Sequence, residues 1–294
     1  MSCPNYQYQN FSKSISISCG IGGVFSIFRC IFSSLSTGPS ILLSHGTELN
    51  SFSIVDTQIK NCTDGAIKIS GQYNGTIRKC CFYKDFASIG SVLCSSATKT
   101  SNLDILQSSN AFCPENKKGS YYVYQLSTLN LKIENTNSSY SMMKYHTMFD
   151  MYNIELQNKF NTLCHNGMGC VYRTSNVNGV ILNSNHYNST VVDHDWSFLH
   201  NHGSTNIVYE TNVFLFQPYS SFVYFGGASK IINSVILECK FSAKNISYTP
   251  TYIECFHIDA NECNVMTLDG FHPTRKQKTS AKLSIIIFII NNLE

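Results

Sequence analysis

The sequence predicts an all-β chain wound as a parallel β-helix solenoid of about nine coils. Three observations carry that expectation: the composition, a motif that returns about every 26 residues, and period-two alternation inside its copies. Charged residues make up 13% of the 294-residue chain, about half the usual share, while Asn, Ser, Thr, Tyr and Phe are plentiful. Such a mixture favours strands and turns over helices. A hydrophobic content of 43% is ample for a core. The net charge of +3 comes with no Lys/Arg stripe and no RNA-binding aromatic motif, so nucleic acid is not an expected partner.

The motif is Asn, Thr or Cys, then any residue, then an aromatic or its substitute. Its copies span Cys30–Phe32, Thr57–Ile59, Cys80–Phe82, Asn110–Phe112, Asn135–Asn137, Asn158–Phe160, Asn185–Tyr187, Asn212–Phe214 and Cys239–Phe241, and the last four copies are evenly spaced. Around them apolar residues alternate, as in Val235, Leu237, Cys239 and Phe241, which puts those side chains on one face of a strand. A helix would need period 3.6. A second short strand follows in the early copies after a glycine at Gly38, Gly65, Gly90, Gly119 or Gly169, and Leu49–Val55 leaves room for a third. Three short strands per turn is the recipe of a parallel β-helix, in which coils stack about 4.8 Å apart.

Stacking places equivalent positions above one another and predicts two columns. Phe32, Ile59, Phe82, Phe112, Phe160, Tyr187, Phe214 and Phe241 form an aromatic and apolar ladder. Cys30, Thr57, Cys80, Asn110, Asn135, Asn158, Asn185, Asn212 and Cys239 form a parallel ladder in which amides satisfy one another and Cys acts as a small hydrophobe. Residues 1–14 read as an N-terminal extension or cap, 15–270 as the solenoid, and 271–294 as a basic linker with a short apolar segment.

On these coils the chain resembles the right-handed parallel β-helix proteins of the pectate-lyase-like type. The Cys-, Asn- and Ser-rich coils are most similar to the large β-helical surface proteins of parasitic flagellates. The resemblance implies a non-enzymatic surface or secreted scaffold for adhesion, with host glycans or surface proteins as partners and no cofactor. It implies as an alternative a polysaccharide lyase or glycoside hydrolase, and as a further one a structural spacer or fragment of a larger surface protein.

Motifs of chemistry are sparse. No nucleophile elbow, P-loop or dinucleotide fingerprint occurs, and the 13 cysteines include no C-x-x-C, which makes them structural in expectation. The sharpest polar cluster holds Asp193, His194, Asp195, His200 and His202, whose carboxylates and imidazoles are metal-ligand types, although a solvated loop between coils is the first reading. Arg78 and Glu210 fall where other coils carry Phe28, Val55, Ile133, Leu156 and Leu237, which predicts a register slip or a buried charge. The N-terminus shows no basic start followed by an apolar run, so no secretory signal is visible. Six N-x-S/T sequons would suit a glycoprotein. Leu283–Ile290, "LSIIIFII", fits a terminal buried strand or a truncated membrane span, with the strand ranked first, so a membrane enters only through that segment.

Overall fold

The computed structural model describes residues 3–17, 22–44, 50–87, 90–97, 101–111, 121–125, 129–139, 142–164, 167–187, 190–191, 197–215, 221–225, 227–237, 251–253 and 256–258. Across them the chain is a parallel β-solenoid, and every strand pairing is parallel. Successive strands supply three walls in rotation. Val24–Phe28 lies in the first wall, Ile31–Ser33 in the second and Ile41–Ser44 in the third, before Asn50–Val55 returns to the first. The second wall is an 11-stranded sheet. The first and third walls merge into one 19-stranded sheet, because Met142–Lys159 and Gly167–Leu182 run unbroken from the third wall into the first. Among the described residues 11 strands stack in the second wall, so the coil number departs from the nine read in the sequence.

The bend between the first and second walls recurs coil after coil. Arg29, Asp56, Lys79, Gln107, Asn135, Phe160, Asn183, Thr211 and Asn233 all occupy the left-handed region, with φ between 49° and 56°. Side chains other than glycine rarely adopt it, at a cost of about 1–2 kcal/mol each. Cross-coil bonding holds them there: the backbone N–H groups of Arg29, Asp56, Lys79, Gln107, Asn135, Phe160, Asn183 and Thr211 each donate to a carbonyl of the following coil.

The next residue turns inward and is small and polar or a cysteine: Cys30, Thr57, Cys80, Ser108, Thr136, Asn161, Ser184, Asn212 and Ser234, all buried. Several of these side chains serve two coils. Ser184 Oγ donates to the Leu182 carbonyl two residues back and accepts from the Asn161 backbone N–H at 3.4 Å. The Ser184 N–H in turn donates to Asn212 Oδ1 at 2.9 Å, and the Asn212 N–H to Ser234 Oγ at 3.1 Å. Each bond of this ladder is worth about 1 kcal/mol net, and leaving one of its buried donors unpaired would cost about 1–3 kcal/mol.

Inside, the first wall contributes two columns. One runs Ile27, Ile54, Ile77, Ile105, Ile133, Asn158, Ile181, Tyr209 and Ile231. The other runs Phe25, Phe52, Gly75, Leu103, Leu131, Leu156, Gly179 and Ile207. Both glycines answer to close approach. A Cβ at Gly75 would overlap the Phe52 ring, and one at Gly179 would overlap the Leu156 carbonyl oxygen.

The interior grows polar in the later coils. Asn158 Nδ2 donates to the Tyr172 hydroxyl at 3.0 Å, and the Tyr209 hydroxyl donates to Asn201 Oδ1 at 3.1 Å. Asn201 Oδ1 also accepts from Thr174, and its amide donates to Ser229 Oγ. Around this network Phe149 stacks on Tyr172 and His186 on Phe214, at centroid distances of 5.0 and 4.8 Å. Burial pushes the His186 imidazole down to about 3, so it packs as a neutral ring.

Arg78 and Glu210 produce neither a register slip nor a buried charge. They share an outward column with the half-buried Phe28, Val55 and Leu106, in which Arg78 is exposed and Glu210 half-buried, while Ile133 and Leu156 occupy the inward columns.

The two interior columns make glycine substitutions informative. Gly179, at φ +148, cannot accept a methyl group without moving the Leu156 backbone, whereas Gly22, at φ +65, has nothing within 4 Å of an added Cβ. Gly179→Ala is expected to lower unfolding stability by about 3 kcal/mol or more, and Gly22→Ala by about 1 kcal/mol. Urea denaturation compares the two; equal losses would refute the close-approach account.

A pH dependence is expected from Asp85, which is fully buried at the bend between the second and third walls, with Oδ1 accepting from the Cys62 backbone N–H at 3.0 Å. Desolvation raises its carboxyl from 3.8 to about 8. Over that interval the folded state keeps a proton that the unfolded state loses, so stability falls as pH rises, by up to about 1.4 kcal/mol per unit. Asp85→Asn is expected to flatten the melting temperature between pH 4 and 8. An unaltered slope in the variant would assign the effect to other groups.

Candidate ligand-binding groove

Outward positions of the first wall carry the most organised polar surface among the described residues. Alternation sends Ile77, Ile105 and Ile133 inward, and the residues three before them, Asn74, Asn102 and Asn130, lie in register on the outer face. The column continues through Glu155, Asn178 and Asn206. Its amides are bonded along the stack. Asn102 donates to Asn74 Oδ1 through its backbone N–H at 3.1 Å and through Nδ2 at 2.8 Å, and Asn130 Nδ2 donates to Asn102 Oδ1 at 2.8 Å. The backbone donor fixes which way the Asn74 amide points, and so sets the direction of the ladder. Farther along, Asn178 Nδ2 donates to Glu155 Oε1 at 3.1 Å.

Two residues on, a second outward column reads Thr76, Asp104, Lys132, Gln157 and Val180. Between these columns lies a groove of about 400 Å³ lined by Asn102, Asp104, Asn130, Lys132, Glu155 and Gln157, with Gly179 and Val180 at one end. That is the size of a site for a small molecule or a short stretch of polymer. Lys132 Nζ lies 3.1 Å from Glu134 Oε2, and both side chains are partly exposed. Solvent screening leaves such a pair worth less than about 1 kcal/mol, so the ammonium can turn to a ligand at little cost. Asp104 and Glu155 are two coils apart and offset by two residues, a backbone separation of about 12 Å at standard sheet spacings. The groove therefore offers amide donors and acceptors, two carboxylates and one ammonium on a rigid surface.

The residues singled out in the sequence are distributed differently. Phe32, Ile59, Phe82 and Phe214 occupy equivalent positions of the second wall, in one column with Phe11, Asn110, Ser138, Leu163, His186, Ile236 and His257. Phe160 is instead the left-handed bend residue before Asn161, and Tyr187 lies one position beyond His186. Cys30, Thr57, Cys80 and Asn212 hold the inward bend position. Asn110 is in the ring column, Asn135 is a bend residue, Asn158 belongs to the first-wall interior, and Asn185 flanks His186. Phe112, Cys239 and Phe241 lie outside the described residues.

Of the metal-ligand candidates, Asp193, His194 and Asp195 also lie outside the described residues. His200 and His202 share one face of Ser197–His202 in the third wall, with ring centroids 4.3 Å apart. In register with His200 is Arg173, which lies 3.6 Å from the carboxylate of Asp150. Burial first, then the neighbouring His202 and Arg173, lowers His200 to about 3, and burial and Arg173 lower His202. Both imidazoles are thus neutral at pH 7. Among the described residues no three His, Cys, Asp or Glu side chains group as metal ligands. Cys3 is disulfide-bonded, while Cys30, Cys62 and Cys80 are buried thiols that fill the interior.

The outward ladder escaped the sequence reading, although it left a signal: Asn-Gly-Thr-Ile at 74, Asn-Leu-Asp-Ile at 102, Asn-Leu-Lys-Ile at 130 and Asn-Gly-Val-Ile at 178 are one pattern, Asn-[Gly/Leu]-x-Ile. A scan against protein-family models, a search of curated proteins and a search of solved structures each returned no match to this chain.

Proposed function

We propose that this solenoid is a non-enzymatic scaffold, secreted or displayed at a cell surface, that binds an extended glycan or a protein segment along the outward groove of its first wall. The observation that carries this reading is the cross-coil ladder of Asn74, Asn102, Asn130 and Glu155 beside Asp104, Lys132 and Gln157. Amides held in place by one another lose little freedom when a ligand binds, which favours affinity. Their repeat along the stack at about 4.8 Å suits a ligand that is itself extended. The resemblance of the coils to pectate-lyase-like β-helices and to β-helical surface proteins of parasitic flagellates agrees with a surface role and with host glycans or surface proteins as partners.

A second reading, a polysaccharide lyase or glycoside hydrolase, is favoured by one observation: Asp104 and Glu155 flank Lys132 within the same groove. Hydrolysing carboxyl pairs stand about 5–10 Å apart, so this reading needs the two side chains to lean toward one another from backbones about 12 Å apart. The spacer reading requires no ligand.

Incubation of the purified protein with a panel of polysaccharides and glycans, reading retention and product masses together, separates the three. Retention of intact glycan is expected, and Asn102→Ala with Asn130→Ala should weaken it at least tenfold while leaving stability within about 0.5 kcal/mol, both residues being exposed. Shortened or unsaturated products would replace the scaffold with the enzyme. Retention that is indifferent to the double substitution would remove the groove from the account, and absence of both retention and products would leave a protein ligand or a spacer.

A further inference from the structure

The amide ladder of the outward groove has a direction, and the place where it breaks selects a ligand. The Asn102 backbone N–H and Nδ2 both donate to Asn74 Oδ1, so Asn102 turns its own Oδ1 to the next coil, where Asn130 Nδ2 donates to it. Asn130 in turn directs its Oδ1 to the coil after that. The residue in register there is Glu155, which has no side-chain N–H to offer. Glu155 Oε1 accepts from Asn178 Nδ2 on its far side, and among the described residues no hydrogen bond joins Glu155 to Asn130. An amide oxygen and a carboxylate therefore face one another across a coil spacing of about 4.8 Å. Such a pair of acceptors calls for a donor between them.

The charges beside this junction favour a donor that is also a cation. Asp104, on the coil before Asn130, makes no ion pair among the described residues. Lys132, the ammonium of the lining, lies 3.1 Å from Glu134 Oε2. Lys159, in register with Glu134, stands outside the lining. Asp104 and Glu155 are thus left uncompensated within the groove. A primary ammonium supplies positive charge with three donors and no acceptor, whereas a carboxylate- or sulfate-bearing chain would add acceptors of the wrong sign.

A glycan suits the groove better than a peptide. The strands beneath it, Ser101–Leu106, Leu129–Glu134 and Met142–Lys159, are paired on both sides, so no free backbone edge can take an added strand. The lining contains no aromatic or Arg anchor of the kind that holds protein partners, while its amides match hydroxyl groups. The basic run Arg275–Lys278 and Leu283–Ile290 lie outside the described residues and form no part of the site.

We propose, on the reading that this groove is the binding face, that its ligand is a glycan bearing free amines, with one ammonium seated between Asn130 Oδ1 and the Glu155 carboxylate and held further by the field of Asp104. Three β-1,4-linked hexasaccharides that differ only in carrying a hydroxyl, an acetamide or a free amine on the second carbon of each ring test it by calorimetric titration into the full chain. At about 50 mM sodium chloride the amine form is expected to bind at least about fivefold more tightly than the other two, and at about 500 mM the gap is expected to close, because the charges are solvent-screened. Asp104→Asn with Glu155→Gln should bring the three affinities to within about twofold of one another. Equal binding of the three by the unmodified chain would overturn the amine preference, and sensitivity of that binding to Asn102→Ala with Asn130→Ala would still keep the groove as a glycan site. A preference that survives high salt, or the loss of both carboxylates, would also overturn it. Tighter binding of a hexapeptide of alternating Lys and Ser would put a protein segment in the groove instead, and binding of none of the four would remove the groove reading together with the proposal.

Discussion

Closing a coil requires the backbone to turn sharply between two walls while its N–H groups are removed from water, and the bend before Cys30, Thr57, Cys80 and their equivalents meets both demands at once. The left-handed residue makes the turn, and its N–H is taken by a carbonyl of the following coil. Where the inward residue is Ser108, Asn161, Ser184, Asn212 or Ser234, its side-chain oxygen accepts from a backbone N–H of the preceding coil, as Asn212 does for Ser184, while Cys30, Thr57 and Cys80 donate to the carbonyl two residues back. Neither half of the arrangement is stable alone. An isolated coil would bear the left-handed strain without the cross-coil bonds that offset it, so stability resides in the contacts between neighbours, as in other repeat architectures.

That dependence explains the change of core along the axis. In the early coils, where Phe25, Phe52, Ile27 and Ile54 fill the interior, apolar burial supplies most of the stabilisation. Farther on, Asn158, Tyr172, Thr174, Asn201 and Tyr209 occupy comparable depth, and each must find partners inside because water is excluded. The bonds Asn158–Tyr172 and Tyr209–Asn201 show that they do. A satisfied network of this kind fixes register more strictly than interchangeable isoleucines can.

The class of fold was legible because alternation, glycine turns and a recurring motif report on backbone geometry shared by every coil. Register was less legible. The even beat through Phe160, Tyr187 and Phe214 is an alias of a column that runs through Leu163, His186 and Phe214. The true intervals vary because the bends between walls differ in length, and a fixed period drifts out of phase by a few positions before coming back. Asn misled for a related reason. It is suited to left-handed bends, to inward ladders and to outward ladders alike. Asn135, Asn161 and Asn130 take those three roles in neighbouring coils, and only the pairing pattern separates them.

The outward face of the first wall is where the fold makes the fewest demands, and that gives its order weight. Inward positions must fill a fixed volume, and bend positions must satisfy a fixed set of donors. An exposed strand position needs only to tolerate water, and Asn is among the poorer strand formers there. Asn74, Asn102 and Asn130 nevertheless recur in three successive coils at equal spacing, with Glu155 and Asn178 continuing the line. Their mutual hydrogen bonds recover part of that cost, but a hydrogen bond between exposed amides competes with water and returns less than a buried one. Stability alone gives little reason to build such a column. A surface that must present amides and charges in fixed geometry to a ligand gives a better one, and Asp104, Lys132 and Gln157 beside the ladder are the groups such a surface would use.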